Sequence, residues 1–259
     1  MTPSVLQRAA STAARRTLAQ PGVAVVSVGF YLLVTAAVTS LWRSAAAAHG
    51  GEIAGYSGLA LTWYIVTSEA TVVAQRVRLI EEVGTEIGSG SIEPELLRPV
   101  AAVGIRLATE IGAVMPRLIA CLVGGAAFAT LVAGAPIGFA AMGLALPSIV
   151  LAVVCNIAAQ HAVAAASFWV RDAKSSWYLY HKFVFIAGGM LIPLEVLPES
   201  LESVARLLPF SAMAYAPARL ASGHFEPGLL AVQALWTVVM LAAAVAMFAR
   251  GERRLAAAP

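Results

Sequence analysis

Six apolar stretches, separated by short charged or Gly- and Pro-rich breaks, make up most of this chain. With 60% hydrophobic and 12% charged residues, a water-soluble fold would have too little polar surface to cover itself. A helix that crosses ~30 Å of hydrocarbon needs about 20 apolar residues, and these stretches are of that length. Strands of a membrane barrel are about 10 residues long and alternate in polarity. The sequence therefore predicts an all-α polytopic membrane protein with a single transmembrane domain over residues 1–259.

The distribution of Lys and Arg predicts the orientation of the spans. If the N-terminus is cytoplasmic, only Arg43, Arg206 and Arg219 of the 17 Lys and Arg residues lie on the outer side. Six spans then place both termini in the cytoplasm. The net charge of +3 reflects this topology and indicates no nucleic-acid surface. The predicted spans lie near residues 23–41, 56–74, 111–133, 142–170, 177–192 and 229–248.

The N-terminal segment 5–18 is predicted to be a helix lying on the membrane surface. Arg8, Arg15 and Arg16 fall on one helical face, and Leu6 and Ala13 fall mostly on the other. A cleaved signal peptide is the alternative, but apolar regions of signal peptides are ~7–15 residues long, and the first span is longer.

The longest cytoplasmic connection, residues 75–110, is predicted to form a compact helical segment that we call the elbow. Gly88-Ser89-Gly90 ends a first short helix, and Pro94 and its flanking acids suit the first turn of a second. An apolar edge on such a protruding segment indicates a protein partner. The residues of this edge are Ile92, Leu96, Leu97 and Val100.

The stretch Glu86–Val100 resembles the loop between the second and third helices of type-2, export-type ABC permeases. It is closest to a six-helix subfamily formerly described as of unknown function. An acidic-Ile-x-x-Gly pattern is followed by Leu-Leu-Arg-Pro-Val, with Pro94 as a departure. A second, weaker resemblance is the run Gly188–Leu194, followed by Leu-Pro and Leu-Pro-Phe.

This resemblance implies the transmembrane subunit of an ABC exporter in the plasma (inner) membrane. Such a subunit forms half of an efflux pathway, dimerises with an identical or a sister permease, and docks a separate ATPase. The elbow would contain the coupling helix, and residues 193–227 would form a re-entrant hairpin at the outer face. The implied cargo is an amphipathic or cationic small molecule. The implied coupling residues are Glu86, Ile87, Gly90, Ile92, Glu93, Leu96, Leu97, Arg98 and Pro99.

The chain has no nucleotide-binding motif of its own. A Walker A loop needs a Lys after Gly, and neither Lys174 nor Lys182 follows Gly. We therefore expect no enzymatic activity and no cofactor on this chain, with ATP and Mg bound by the partner ATPase. The four histidines show no metal-ligand spacing.

A few polar residues lie within the predicted spans. Glu69 is acidic, and a charge at mid-helix costs ~2.5–3.5 kcal/mol on insertion scales, so it normally has a partner. We expect an ion pair between Glu69 and Arg117, and the alternative is that Glu69 faces the substrate pathway. Asn156 and Gln160 share one helical face, which fits interhelical hydrogen bonding or a polar pathway. Tyr180, beside Trp177 and Tyr178, is predicted to lie in an interfacial aromatic belt.

Two other function classes stay open. An ion-coupled secondary transporter needs internal repeats or broken helices around a midplane site, and neither is visible. A non-transport membrane scaffold or enzyme is disfavoured because the spans contain no paired catalytic residues. The elbow distinguishes the readings, since only an ABC permease requires a docking segment.

Overall fold

The computed structural model of the protein describes residues 3–96, 102–136, 138–170 and 173–256. Of the residues singled out above, Leu97, Arg98, Pro99 and Val100 lie outside this range. The helices are α1 (Pro3–Leu18), α2 (Pro21–Ala48), α3 (Gly58–Val73), α4 (Leu79–Gly88), α5 (Glu93–Leu96), α6 (Ala102–Val132), α7 (Phe139–Ala165), α8 (Ala173–Ile186), α9 (Glu199–Leu207), α10 (Tyr215–Ala221) and α11 (Gly228–Ala256).

The protein is an all-α membrane protein, as predicted. Within the described residues, four helices are long and apolar enough to cross a membrane: Pro21–Ala48, Ala102–Val132, Ala140–Phe168 and Gly228–Leu255. The shorter α3 is also apolar. Helix α8 covers the first part of the predicted fifth span, residues 177–192. Between α2 and α3, the two-residue strands β1 (Glu52–Ile53) and β2 (Tyr56–Ser57) form a small antiparallel hairpin.

Helix α1 is amphipathic and packs along α6. The buried residue of its apolar face is Ala13, whereas Arg8, Arg15 and Arg16 are exposed. The approach is close, because a Cβ built on Gly112 of α6 would lie 2.1 Å from the carbonyl oxygen of Ala10. The segment 5–18 is thus confirmed as a helix, and the surface on which it packs is α6.

Helices α2, α3 and α6 meet at a second glycine. The hydroxyl of Tyr31 on α2 donates a 2.9 Å hydrogen bond to the backbone carbonyl of Val66 on α3. A Cβ on Gly125 of α6 would lie 2.0 Å from that hydroxyl oxygen and 2.7 Å from Cγ1 of Val66. Small residues allow such close helix approach in membranes.

The elbow is a helix–turn–helix that ends earlier than predicted. Gly90 has φ +76°, the left-handed conformation that glycine adopts without strain, and it separates α4 from α5. The long helix α6 begins at Ala102, inside the predicted elbow. Helix α4 packs against α7, α8 and the 3-10 turn Ala166–Phe168, so the elbow lies against the membrane helices.

The prediction of an exposed apolar edge is wrong for Ile92. Its side chain is 0% exposed, and that of Ile87 is 5% exposed. Both belong to the cluster formed by Ile80, Val83 and Val103, because the turn at Gly90 folds the second short helix back onto α6. The side chain of Leu96 lies outside the described part of the structure.

The segment after α8, which the predicted topology places at the outer face, contains a 3-10 turn (Leu194–Val196), α9 and α10. Arg206 pairs with Glu202, one turn earlier on α9, at 2.8 Å. Leu201 and Val204 on the opposite side of α9 are exposed. This arrangement fits a helix that lies along the outer membrane interface.

Candidate functional site

A cavity of about 680 Å³ lies between α2, α3, α6, α7 and α8. It contains all four intramembrane polar residues that the sequence singled out: Glu69, Arg117, Asn156 and Gln160. Its walls are mainly apolar, with Phe30 of α2, Val72 and Val73 of α3, and Val184 and Phe185 of α8 among them. Pockets of this size, apolar with a few polar groups, are the usual form of small-molecule sites.

Glu69 is the cavity's distinctive group. It lies in the last turn of α3, is 0% exposed, and neither of its carboxylate oxygens has a hydrogen-bond partner among the described residues. A buried carboxylate is normally paired, and leaving it unpaired costs several kcal/mol. Glu69 therefore lowers the free energy of unfolding, and packing does not explain its presence at this position.

The predicted ion pair between Glu69 and Arg117 is not formed. Nε of Arg117 instead donates to the carbonyl of Ala113, one turn earlier on its own helix, at 3.3 Å. Both side chains line the cavity, so the prediction placed them in the same region but was wrong about their contact. Two residues at similar depth in the membrane need not lie on facing sides of their helices. Here the glycine contacts of α6 determine which side of that helix faces its neighbours.

An amide network forms the wall of the cavity on α7. Nε2 of Gln160 donates to Oε1 of Gln75 and to Oδ1 of Asn156, each at 3.3 Å. The hydroxyl of Tyr180 also donates to Oδ1 of Asn156. Oε1 of Gln160 is buried and accepts no hydrogen bond within the described chain. The shared helical face of Asn156 and Gln160 is thus confirmed.

Tyr180 is not part of an interfacial belt. It is 5% exposed and donates into the amide network, whereas Tyr178 is 55% exposed. Residues two apart on a helix point in different directions, which separates the two rings. Tyr180 and Gln75 are the functional candidates that the sequence reading missed.

The non-helical segment 187–193 closes one end of the cavity, which is the outer end in the predicted topology. Its carbonyls accept hydrogen bonds from side chains of α2 and α3: Tyr64 donates to Gly189 (2.5 Å), Ser68 to Met190 (2.7 Å) and Trp42 to Leu191 (2.9 Å). Irregular backbone at membrane depth requires such partners. Met190 and Leu191 line the cavity directly.

The inner end is formed by the connection from α3 to α4. The carbonyl of Val77 accepts hydrogen bonds from Trp177 and from Nε2 of His181 (2.8 Å) on α8. Arg76 pairs with Glu82 and, at 2.5 Å, with Glu110. This end of the cavity is therefore held by contacts from the elbow and from α8.

Directly after the closing segment, the carboxylate of Glu195 is contacted by two tyrosine hydroxyls and two guanidinium groups. Tyr215 donates at 2.6 Å and Tyr56 at 3.1 Å, and Arg206 and Arg219 pair with it at 2.8 and 2.7 Å. Burial lowers the pKa of Arg219, but the hydrogen bond to Glu226 and the contact with Tyr56 raise it above its usual value. The outer ends of several elements are thus joined at one carboxylate.

Arg106 of α6 forms ion pairs with both short helices of the elbow. Arg106 pairs with Glu86 of α4 at 2.6 Å and with Glu95 of α5 at 2.8 Å. Of the predicted coupling residues, Glu86 is therefore engaged in this contact, Ile87 and Ile92 are buried, and Glu93 is exposed.

The comparison with protein families supports this architecture. Residues 32–258 match the family described as ABC-2 family transporter protein. A comparison with curated proteins gives no match. The matched range covers every helix from most of α2 to α11, and with it the cavity and the elbow. The chain therefore belongs to the ABC-2 family and is a type-2 ABC transporter permease.

Proposed function

We propose that this chain is the transmembrane subunit of an ABC exporter in the plasma (inner) membrane, coupled to a separate ATPase chain. The observation that carries the proposal is the double ion pair of Arg106. These two contacts join α4, α5 and the cytoplasmic end of α6, so we expect the three elements to move together. A partner that displaces the elbow would therefore displace a helix that lines the cavity.

The proposed topology has six spans and a cytoplasmic N-terminus. Helices α2, α6, α7 and α11 cross the bilayer on their own length, and α3 is an apolar helix of 16 residues. The 14 residues of α8 reach across by continuing into the closing segment 187–193. The carbonyls of that segment have side-chain partners, which makes the break tolerable in lipid.

A second permease subunit would complete the pathway. The exposed apolar residues of α2 and α8 include Val26, Phe30 and Phe183, and the first two line the open side of the cavity. A copy of this chain or a sister chain would cover this face and turn two half-pathways into one.

The docking surface for the ATPase is proposed to be polar. Between residues 85 and 95, the exposed side chains of the elbow are Thr85, Ser89, Ser91, Glu93 and Pro94, since Ile87 and Ile92 face the core. Glu93 adds negative charge to this surface, so a partner with basic residues fits it.

The test is purification in mild detergent from the native membrane, followed by mass spectrometry. We expect a soluble chain with Walker motifs to copurify and to be lost in Glu93→Lys combined with Ser89→Trp. Glu199→Gln, on the opposite side of the membrane, is the matched control and should retain it. A stable chain that purifies alone in both cases would contradict the proposal and favour an ion-coupled carrier.

A further inference from the structure

We propose that the cavity binds a protonated amine carried on an apolar body, with Glu69 as the counter-ion. This inference rests on the proposed function, because it names the class of molecule that the exporter would carry. It starts from the polar atoms of the cavity that have no partner.

The fully buried side-chain atoms of the cavity that have no hydrogen-bond partner are all acceptors. They are Oε1 and Oε2 of Glu69 and Oε1 of Gln160, each buried and without a hydrogen-bond partner in the described part of the chain. An occupant that matches them must donate hydrogen bonds. A primary ammonium group carries three N–H donors and no acceptor, as in the side chain of lysine.

The charge of Glu69 selects a cation over a neutral donor. Water can donate hydrogen bonds to a carboxylate, but it supplies no opposite charge, and buried carboxylates are stabilised chiefly by pairing. Among the described residues, the arginines that line the cavity have contacts other than Glu69. Arg76 is paired with Glu82 and Glu110, Arg78 lies 3.9 Å from Glu81, and Arg117 donates to the carbonyl of Ala113.

The remaining walls determine the body of the ligand. Valines from α2, α3 and α8 surround the polar groups, with Phe30, Phe185 and Met190. Side chains of this kind favour an alkyl or aromatic portion, and methionine adapts to ligands of different shape. The site therefore fits amphipathic amines and excludes sugars and polyanions.

The experiment measures binding of dansylcadaverine, a fluorescent primary amine, to this chain alone in lipid nanodiscs, with empty nanodiscs subtracted. The neutral control is its N-acetyl derivative, which keeps the apolar body. A charged hydrogen bond contributes about 1.5–3 kcal/mol, so the amine should bind about tenfold or more tightly than the acetylated compound. Equal affinities would overturn the proposal.

Two variants locate the binding. Glu69→Gln keeps the size of the side chain and should remove the preference for the amine, whereas Glu199→Gln, outside the cavity, should keep it. Thermal unfolding of the empty chain gives the second measurement. Glu69→Gln should be at least as stable as the unmodified protein, because it removes a buried charge without a partner. A strongly destabilised Glu69→Gln, or one that retains the preference, would overturn the assignment.

This test separates the two proposals, since no ATPase is present in it. An amine-selective site in a chain that copurifies with no ATPase would leave the site intact and contradict the exporter. A chain that copurifies with an ATPase but shows no preference for the amine would support the exporter and contradict the amine site.

Discussion

Ser68 donates a 2.7 Å hydrogen bond to the carbonyl of Met190, and the next residue in the chain is Glu69. The helix that carries the cavity's carboxylate is thus tied directly to the segment that closes the cavity on its outer side. A displacement of α3 would move both the charge and the closing segment. This contact offers a route by which the occupied and empty states could differ at the outer end.

Replacing Ser68 by Ala should loosen the closing segment. The change leaves the carbonyl of Met190 without this donor, and a buried hydrogen bond of this kind contributes about 1 kcal/mol. We expect a lower midpoint of thermal unfolding in detergent. Ser40→Ala is the control, because Ser40 is exposed and bonds only to Ala37 of its own helix. Equal unfolding midpoints for the two variants would contradict a role for the contact.

Removing the guanidinium of Arg106 should release the elbow. Arg106→Gln loses the contacts to Glu86 and Glu95, both of which are partly exposed, so we expect a local cost of about 1 kcal/mol. Local opening of α5 would then be roughly fivefold more populated. Hydrogen exchange of the peptides spanning residues 86–96 measures it. Arg78→Gln is the control, because the contact of Arg78 with Glu81 is long, at 3.9 Å, and exposed. Unchanged exchange in Arg106→Gln would show that the ion pairs do not hold the elbow.

The cavity and the elbow differ in how far the sequence predicted them. The polar residues of the cavity were identifiable because Glu69, Asn156 and Gln160 stand out in apolar helices, where polar groups are expensive. The turn of the elbow was placed correctly, since Gly88 and Gly90 mark it, but its end was not, because α6 begins at Ala102. The direction of Ile92 was not predictable. It depends on the fold of the Gly90 turn back onto Val103 of α6, a contact between segments that periodicity does not describe.

The pairing of Glu69 illustrates a second limit. Depth along a helix follows from the sequence at 1.5 Å per residue, but rotation about the helix axis depends on packing. Gly112 and Gly125 fix the rotation and approach of α6 through contacts with α1, α2 and α3. Those contacts turn Arg117 away from Glu69. Depth was therefore predictable, and the partner was not.

Neutralising Glu195 should destabilise the outer end of the protein. Glu195→Gln leaves Arg206 and Arg219 with one carboxylate each, Glu202 and Glu226, and weakens the bonds from the two tyrosines. Breaking a partly buried ionic cluster costs about 2–3 kcal/mol, which should lower the unfolding midpoint clearly. Glu199→Gln, at an exposed acid that begins the following helix α9, should change it little. A midpoint as high in Glu195→Gln as in that control would show that the cluster adds no stability.

Adding a methyl group at Gly125 should separate α2, α3 and α6. The new Cβ would lie 2.0 Å from the hydroxyl of Tyr31, so these atoms must move apart, at a cost of about 1–3 kcal/mol for overpacking. Gly143→Ala is the matched control, since nothing lies within 4 Å of a Cβ there and alanine favours the helix. Combining Gly125→Ala with Tyr31→Phe removes the closest clashing atom. Because the two residues touch, the double variant should be less destabilised than the sum of the single variants. Strict additivity in unfolding measurements would mean that the three helices do not meet at this point.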